Sequence, residues 1–180
     1  MAQIRGMMAS TLDGYAADND GGVGFLDPFH DVDWGWQGFI AEIGTVVMGR
    51  KTYDHIWHLA PDWPYPGIPG IILGQPAPPL RGPVTTTTDL AALIPQLKSL
   101  DRDVWVVGGP ALQAEFIARG ALDRLQLCIL PVLLGHGIPT FPPSATPPRQ
   151  PQLHGITRLP KGMLLADYRF GDSGLGGRDR

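Results

Sequence analysis

Twice along this chain a short apolar run breaks directly into glycine and a helix start. Thr45–Met48 runs into Gly49-Arg50-Lys51-Thr52, and Val104–Val107 runs into Gly108-Gly109-Pro110. An apolar run of that length, bounded by turn formers, reads as a fully buried strand. A helix that follows at once carries the chain back over the sheet, so the next strand lies parallel to the last. Pro110 suits the first helical turn, where its missing N–H costs nothing. Such units build a mostly parallel sheet with helices on both faces.

The remaining segments fit that frame. Ile4–Ser10 is a buried strand that ends in the turn Thr11-Leu12-Asp13-Gly14. Residues 18–31 form a long Gly-rich loop, and loops of that length in compact domains are usually binding loops or lids. Trp36, Phe39, Ile40 and Ile43 share one helical face, with Asp31 or Asp33 as cap and Gly44 as stop. The helix opened by Gly49 runs toward Trp57, and residues 59–70 are an irregular loop expected to help shape the pocket. Ile71–Leu73 and Val84–Thr88 are strands. Asp89 caps a helix carrying Leu90, Leu93, Ile94 and Leu97, in which Pro95 predicts a kink or a late start. Leu112, Phe116 and Ile117 lie on a helix that stops at Gly120, and Leu122–Leu134 is a strand bent at Pro131. Leu153–Leu159 and Met163–Phe170 flank Pro160-Lys161-Gly162 as a hairpin. One domain over residues 1–170 and a disordered tail over 171–180 result.

Composition narrows the chemistry. The chain has 180 residues, a net charge of −3 and no Lys/Arg block, which argues against nucleic acid as a partner. Its single cysteine, Cys128, excludes a disulfide framework and any zinc site built on Cys pairs. The five histidines show no metal-ligand spacing, so no metal is expected. No run of roughly 18 apolar residues points to a membrane span, and no secretory leader is evident, so the expected location is cytoplasmic.

In open α/β sheets ligands bind beyond the carboxyl ends of the strands. Three segments fall there. Gly108-Gly109 is either a tight turn or a place where backbone approaches a phosphate at a helix N-terminus. Gly49–Thr52 is either a solvated helix start or a second anion site with a hydroxyl and two cations. Asp13 is either a turn residue before Gly14 or a group that assists proton transfer. Two anion sites at neighbouring strand ends suit a dinucleotide. Trp34 and Trp36 belong to an aromatic group in the first third of the chain that suits a planar heterocycle.

Taken together, Ser10–Ala17, Met48–Tyr53, Val106–Leu112, and Leu122–Gly137 with Phe141 resemble the dihydrofolate-reductase-like superfamily. More narrowly, the chain is similar to the bacterial family of the reductase domain of bifunctional riboflavin-biosynthesis deaminase–reductases. The resemblance implies a three-layer α/β/α sandwich around a mixed sheet of about eight strands that closes in an antiparallel hairpin. It implies an oxidoreductase that passes a hydride from NADPH, or from NADH, to a pterin- or pyrimidine-like substrate. By the same resemblance Gly49, Arg50, Lys51 and Thr52 hold cofactor phosphates, with Arg50 near the 2′-phosphate. Val107, Gly108, Gly109, Ala111 and Leu112 hold the pyrophosphate region, and Leu73, Gly74 and Gln75 lie by the adenosine. The nicotinamide rests over Ala9, facing a pocket of Asp13, Tyr15, Trp34 and Trp36. Asp33, seventeen residues before Arg50, is a candidate substrate anchor, and Asp13 is the candidate proton source. Two departures stand out: Val107 replaces the usual Glu before the glycine pair, and Gly74-Gln75 replace a basic residue. The zinc deaminase domain is absent from these 180 residues. True dihydrofolate reductase activity and a catalytically silent dinucleotide-binding module are the alternatives. A homodimer is expected, with Leu127–Leu134 and the final hairpin offering an edge.

Overall fold

The computed structural model describes residues 1–75, 79–143 and 149–171, so all but the first residue of the expected disordered tail lies outside the described residues. The elements in chain order are β1 (Ile4–Thr11), β2 (Tyr15–Ala17), α1 (Trp36–Glu42), β3 (Ile43–Gly49), α2 (Arg50–Leu59), β4 (Gly70–Leu73) and β5 (Val84–Thr87). They continue with α3 (Leu90–Lys98), β6 (Asp103–Gly108), α4 (Pro110–Ala118), β7 (Arg124–Leu130), β8 (Ile138–Pro139), β9 (Gln152–Arg158) and β10 (Leu164–Arg169). Eight strands form one sheet in the order β5-β4-β3-β6-β1-β7-β10-β9. Pairing is parallel from β5 to β7, and β10 and β9 close the sheet antiparallel. This is the expected three-layer sandwich with its closing hairpin.

Strand alternation divides the core in two. Val46 and Met48 of β3 face α1 and α2, where they meet Phe39, Tyr53, Ile56, Met7, Ile72 and Trp105. Val47 faces the other way, onto Leu90, Leu93 and Leu97 of α3 and Leu112 and Phe116 of α4. A third cluster, Val32, Cys128, Leu130 and Met163, holds down the long loop through Phe25, Leu26 and Phe29. No helix among the described residues is long and apolar enough to cross a membrane.

Four boundaries differ from the sequence expectation. Neither Asp31 nor Asp33 caps α1: Gly35 stands at the cap with φ 87°, in the left-handed region that glycine favours. Asp33 instead accepts the Gly35 N–H at 2.8 Å, an Asx turn. Gly44 is no helix stop either, because Ile43 is fully buried and already extended as the first residue of β3. The late start expected from Pro95 does not occur. Asp89 accepts the Ala92 N–H at 2.9 Å, so α3 begins at Leu90 and runs through Pro95 to Lys98. Finally β7 stops at Leu130, because Pro131 has no N–H with which to extend the ladder. The chain beyond it returns as β8 to pair with β2, a small ladder with no strong periodicity in sequence.

Candidate active site at the carboxyl ends of the strands

Register brings the glycine junctions together. Met48 lies opposite Gly108 and Gly49 opposite Leu73, while on β1 Ala9 lies opposite Cys128. The expected cofactor residues of four separate segments therefore occupy one edge of the sheet. The two helix starts touch: a Cβ on Gly109 would lie 3.3 Å from Thr52 Oγ1, and one on Gly49 would lie 3.9 Å from the Gly108 carbonyl. Both N-cap positions, Gly49 and Gly109, lack a side-chain cap. The amino ends of α2 and α4 thus lie side by side, a pair of dipoles suited to linked phosphates. Gly108 has φ 134°, which excludes a side chain there without strain. Its peptide bond to Gly109 is cis. Leu112 buries its side chain in the α3/α4 core and donates its N–H to the Gly109 carbonyl at 3.0 Å, so it shapes the turn from behind. Ala111 is exposed beside it, and Val107 packs toward α1 and α2.

At the end expected to lie by the adenosine, Arg50 Nε donates to both carboxylate oxygens of Asp54, at 2.9 and 3.0 Å. Its Nη1 reaches the Gln75 carbonyl at 3.4 Å, and its guanidinium lies 5.6 Å from the Tyr53 ring centre. A Cβ on Gly74 would lie 3.0 Å from Arg50 Cβ, at φ 150°. Gly74 and Gln75 are therefore the bed on which Arg50 lies. That gives the missing basic residue a physical counterpart: a second cation here would crowd Arg50. Lys51 is exposed at the same helix start.

Asp13 does something other than expected. Its Oδ1 accepts from the Thr11 hydroxyl at 2.6 Å and the Leu134 N–H at 3.1 Å, and its Oδ2 accepts the Gly135 N–H at 2.7 Å. The Thr11 hydroxyl above all, then the Gly135 N–H, holds the carboxyl down at about 2. At neutral pH this carboxylate has no proton to give. Its geometry makes it the clasp between the β1 turn and the loop after β7. Ser10 Oγ and Thr140 Oγ1, 2.8 Å apart and buried, fasten the same two segments, and the Tyr15 hydroxyl reaches the Gly135 carbonyl at 3.4 Å.

The aromatic pair separates. Trp34 packs with Ala9 against the Cys128–Leu130 cluster, at the site. Trp36 packs against Phe39 and Trp105 and lines a groove of about 410 Å³ with Ile43, Ile68 and Arg102. Those three residues stand at the amino ends of β3, β4 and β6, so Trp36 faces away from the site. Residues 59–70 follow it there: Trp63 packs beside Gly70, at the start of β4, and they do not shape the pocket. Sequence reading missed two contributors. The 3-10 turn Gly24–Phe29 seals the loop with Phe25, Leu26 and Phe29, whose spacing of one and three residues was a readable signal. Lys161, from the hairpin turn 130 residues away, binds Asp31 Oδ1 at 2.5 Å and the Pro28 carbonyl at 2.6 Å, for which no local signal exists. Cys128 is buried with its thiol pushed up to about 11, so it is a packing residue.

Comparison with known proteins agrees with the fold. The sequence profile of the RibD C-terminal domain matches residues 71–165, which is 95 of 180 residues. The uncharacterized protein YwjB of Bacillus subtilis strain 168 is 34% identical over 170 residues, covering 92% of this chain and 91% of YwjB. Among solved structures, a Shewanella sp. PV-4 protein named for riboflavin biosynthesis superposes with a TM-score of 0.82 at 22% identity, over 95% of this chain and 99% of that one. The Thermotoga maritima diaminohydroxyphosphoribosylaminopyrimidine deaminase/5-amino-6-(5-phosphoribosylamino)uracil reductase superposes with a TM-score of 0.71 at 16% identity, over 94% of this chain and 57% of that one. At those identities the two structures share the fold. The profile match and the identity to YwjB carry the conclusion further: the chain belongs to the RibD C-terminal domain family.

Proposed function

We propose that this protein is a reductase that uses a nicotinamide dinucleotide, NADPH in preference to NADH, to deliver a hydride to a pterin- or pyrimidine-like heterocycle. One observation carries this reading: two uncapped helix starts, α2 and α4, meet through Gly109 and Thr52 at one edge of the sheet. Such a pair suits the linked phosphates of a dinucleotide. The cofactor supplies the hydride chemistry, and the protein supplies placement. The backbone around Gly49, Gly108 and Gly109 and the Thr52 hydroxyl would hold the pyrophosphate. Arg50 and Lys51 would favour the extra phosphate of NADPH. Ala9 offers the nicotinamide a small, flat floor, with Trp34 as the wall. Asp33, which spends one oxygen on the Gly35 N–H, would turn its other oxygen toward the donor edge of the heterocycle. The proton comes from solvent, since Asp13 stays ionised. The functional unit we propose is a homodimer joined along β9, every residue of which is exposed.

Titration of the purified protein with NADPH and NADH, followed by tryptophan fluorescence, tests the reading. Tight NADPH binding, with cofactor oxidation by a pterin or pyrimidine, supports it. Binding without turnover of any such compound leaves a dinucleotide-binding module. Binding of neither cofactor removes it.

A further inference from the structure

We infer that the substrate of this site carries no phosphate: it is a neutral or cationic heterocycle, because the strap seated on the substrate side carries carboxylates and no Lys or Arg while the cations lie at the cofactor side. The inference rests on the proposed function and differs from the phosphoribosyl substrate in the name of the Thermotoga maritima enzyme.

The charges divide along the carboxyl edge of the sheet. The strap from residue 13 to residue 33 carries Asp13, Asp18, Asp20, Asp27, Asp31 and Asp33, and no Lys or Arg. All but Asp18 are exposed. The strap is seated on the site by Phe25, Leu26 and Phe29, beside Ala9 and Trp34. Hydrogen bonds hold Asp13, and Lys161 holds Asp31, below the ordinary carboxylate range, so both are fully charged at neutral pH. The loop after β7, residues 131–143, faces the strap through the Asp13 clasp and an Asn19–His136 contact of 3.3 Å. It too contains no Lys or Arg.

Positive charge at this end is already committed or lies elsewhere. Lys161 is the one Lys or Arg that hydrogen-bonds the strap among the described residues, and it is bound to Asp31 and the Pro28 carbonyl. The His30 ring nitrogen lies 2.6 Å from the carbonyl of Asp27 in its own turn. Arg158 stands opposite Leu164, and alternation along β10 places that pair on the face of Tyr168, which packs toward α4. Arg5 and Arg124 pair with acids at the amino ends of the strands. Arg50, which pairs with Asp54, and Lys51 stand at the other side, on α2 beyond β3, with β6 between that strand and β1. A dinucleotide laid along the edge would put its phosphates there and its uncharged ring at β1. A phosphate on the substrate would instead stand among the carboxylates, in the negative potential of the strap and without a cationic side chain to pair with.

The test uses the full chain saturated with NADP⁺, with ribose 5-phosphate as probe. The expected result is no saturable binding of ribose 5-phosphate to the loaded protein, and competition with NADPH in the unloaded one. Asp20→Lys/Asp27→Lys in the loaded protein should create a site, with affinity raised at least about tenfold and lost again at high salt. Kinetics supply a second arm: 5-amino-6-ribosylaminouracil should be reduced with a higher kcat/KM than its 5′-phosphate. Saturable binding of ribose 5-phosphate to the loaded wild type, or preference for the phosphorylated uracil, overturns the inference and leaves the reductase intact. No gain in the double variant removes the electrostatic cause and overturns it as well. Failure to load NADP⁺ is a different outcome, since it removes the proposed function and this inference with it.

Discussion

Asp13 shows how a residue's partners decide its role. An Asp before Gly at a strand end reads equally well as a turn former or as an acid. Only the Leu134 and Gly135 N–H groups, more than 120 residues away, settle which it is. Asp13→Ala is expected to speed amide exchange at Leu134 and Gly135 with the sheet intact, measured by hydrogen exchange and NMR. The pH sense follows from a carboxyl at about 2 against an ordinary value of 3.8. The clasp is at full strength above the ordinary value and fails as pH falls toward 2, so the same amides should lose protection in acid and keep it in mild alkali. Gly109→Ala belongs at this scale too. Its Cβ would press on Thr52 Oγ1 at 3.3 Å, so KM for the cofactor should rise about tenfold while kcat changes little. Gln113 is the counter-example to function. It is 1% exposed over Gly6 on β1, and neither of its amide atoms has a partner among the described residues. Gln113→Met keeps the volume and removes two unpaired polar atoms, so unfolding free energy should rise by about 1 kcal/mol in a denaturant titration.

Elements were legible where one periodicity ruled. The run Val104–Val107 before Gly108-Gly109-Pro110 announced both β6 and α4, because burial, turn and proline all point the same way there. The reading failed where two patterns overlapped. Ile43 completes the helical face of Trp36, Phe39 and Ile40, yet it belongs to β3, since a fully buried β-branched residue serves the sheet core better. Trp36 was misplaced for a related reason: its spacing marks a face of α1 but not which end of the sheet the ring meets. The small β2–β8 ladder depends on Asp13 and Ser10 fastening two loops, which spacing cannot reveal. The edge strand β9 carries Leu153 at 52% and Ile156 at 60% exposure. An apolar open edge recruits another strand or a covering surface. Sedimentation of the wild type should give the mass of two chains, and Ile156→Lys should give one without loss of helical or strand signal.

At the scale of the whole molecule, strand alternation predicted the layers, while strand order stayed hidden. Nothing in the sequence of β1 says that it will sit between β6 and β7 at the centre of the sheet. The site inherits its charge division from that order, since β6 alone separates the acid strap of β1 from the cations that follow β3. The central place of β1 also bears on how the chain is made. Gly6 pairs with Val106 and with Leu125, so β1 waits for roughly a hundred further residues to be made before either neighbour exists. At elongation rates of about 5–20 residues per second, Met7 and Met8 stay uncovered for about 5–20 seconds. Until then the nascent chain can assemble β3 and β4, but it exposes the strand that will become its centre. Newborn copies of this protein are therefore expected to depend on a chaperone that shields apolar segments early in synthesis, even though the finished sheet has no such need.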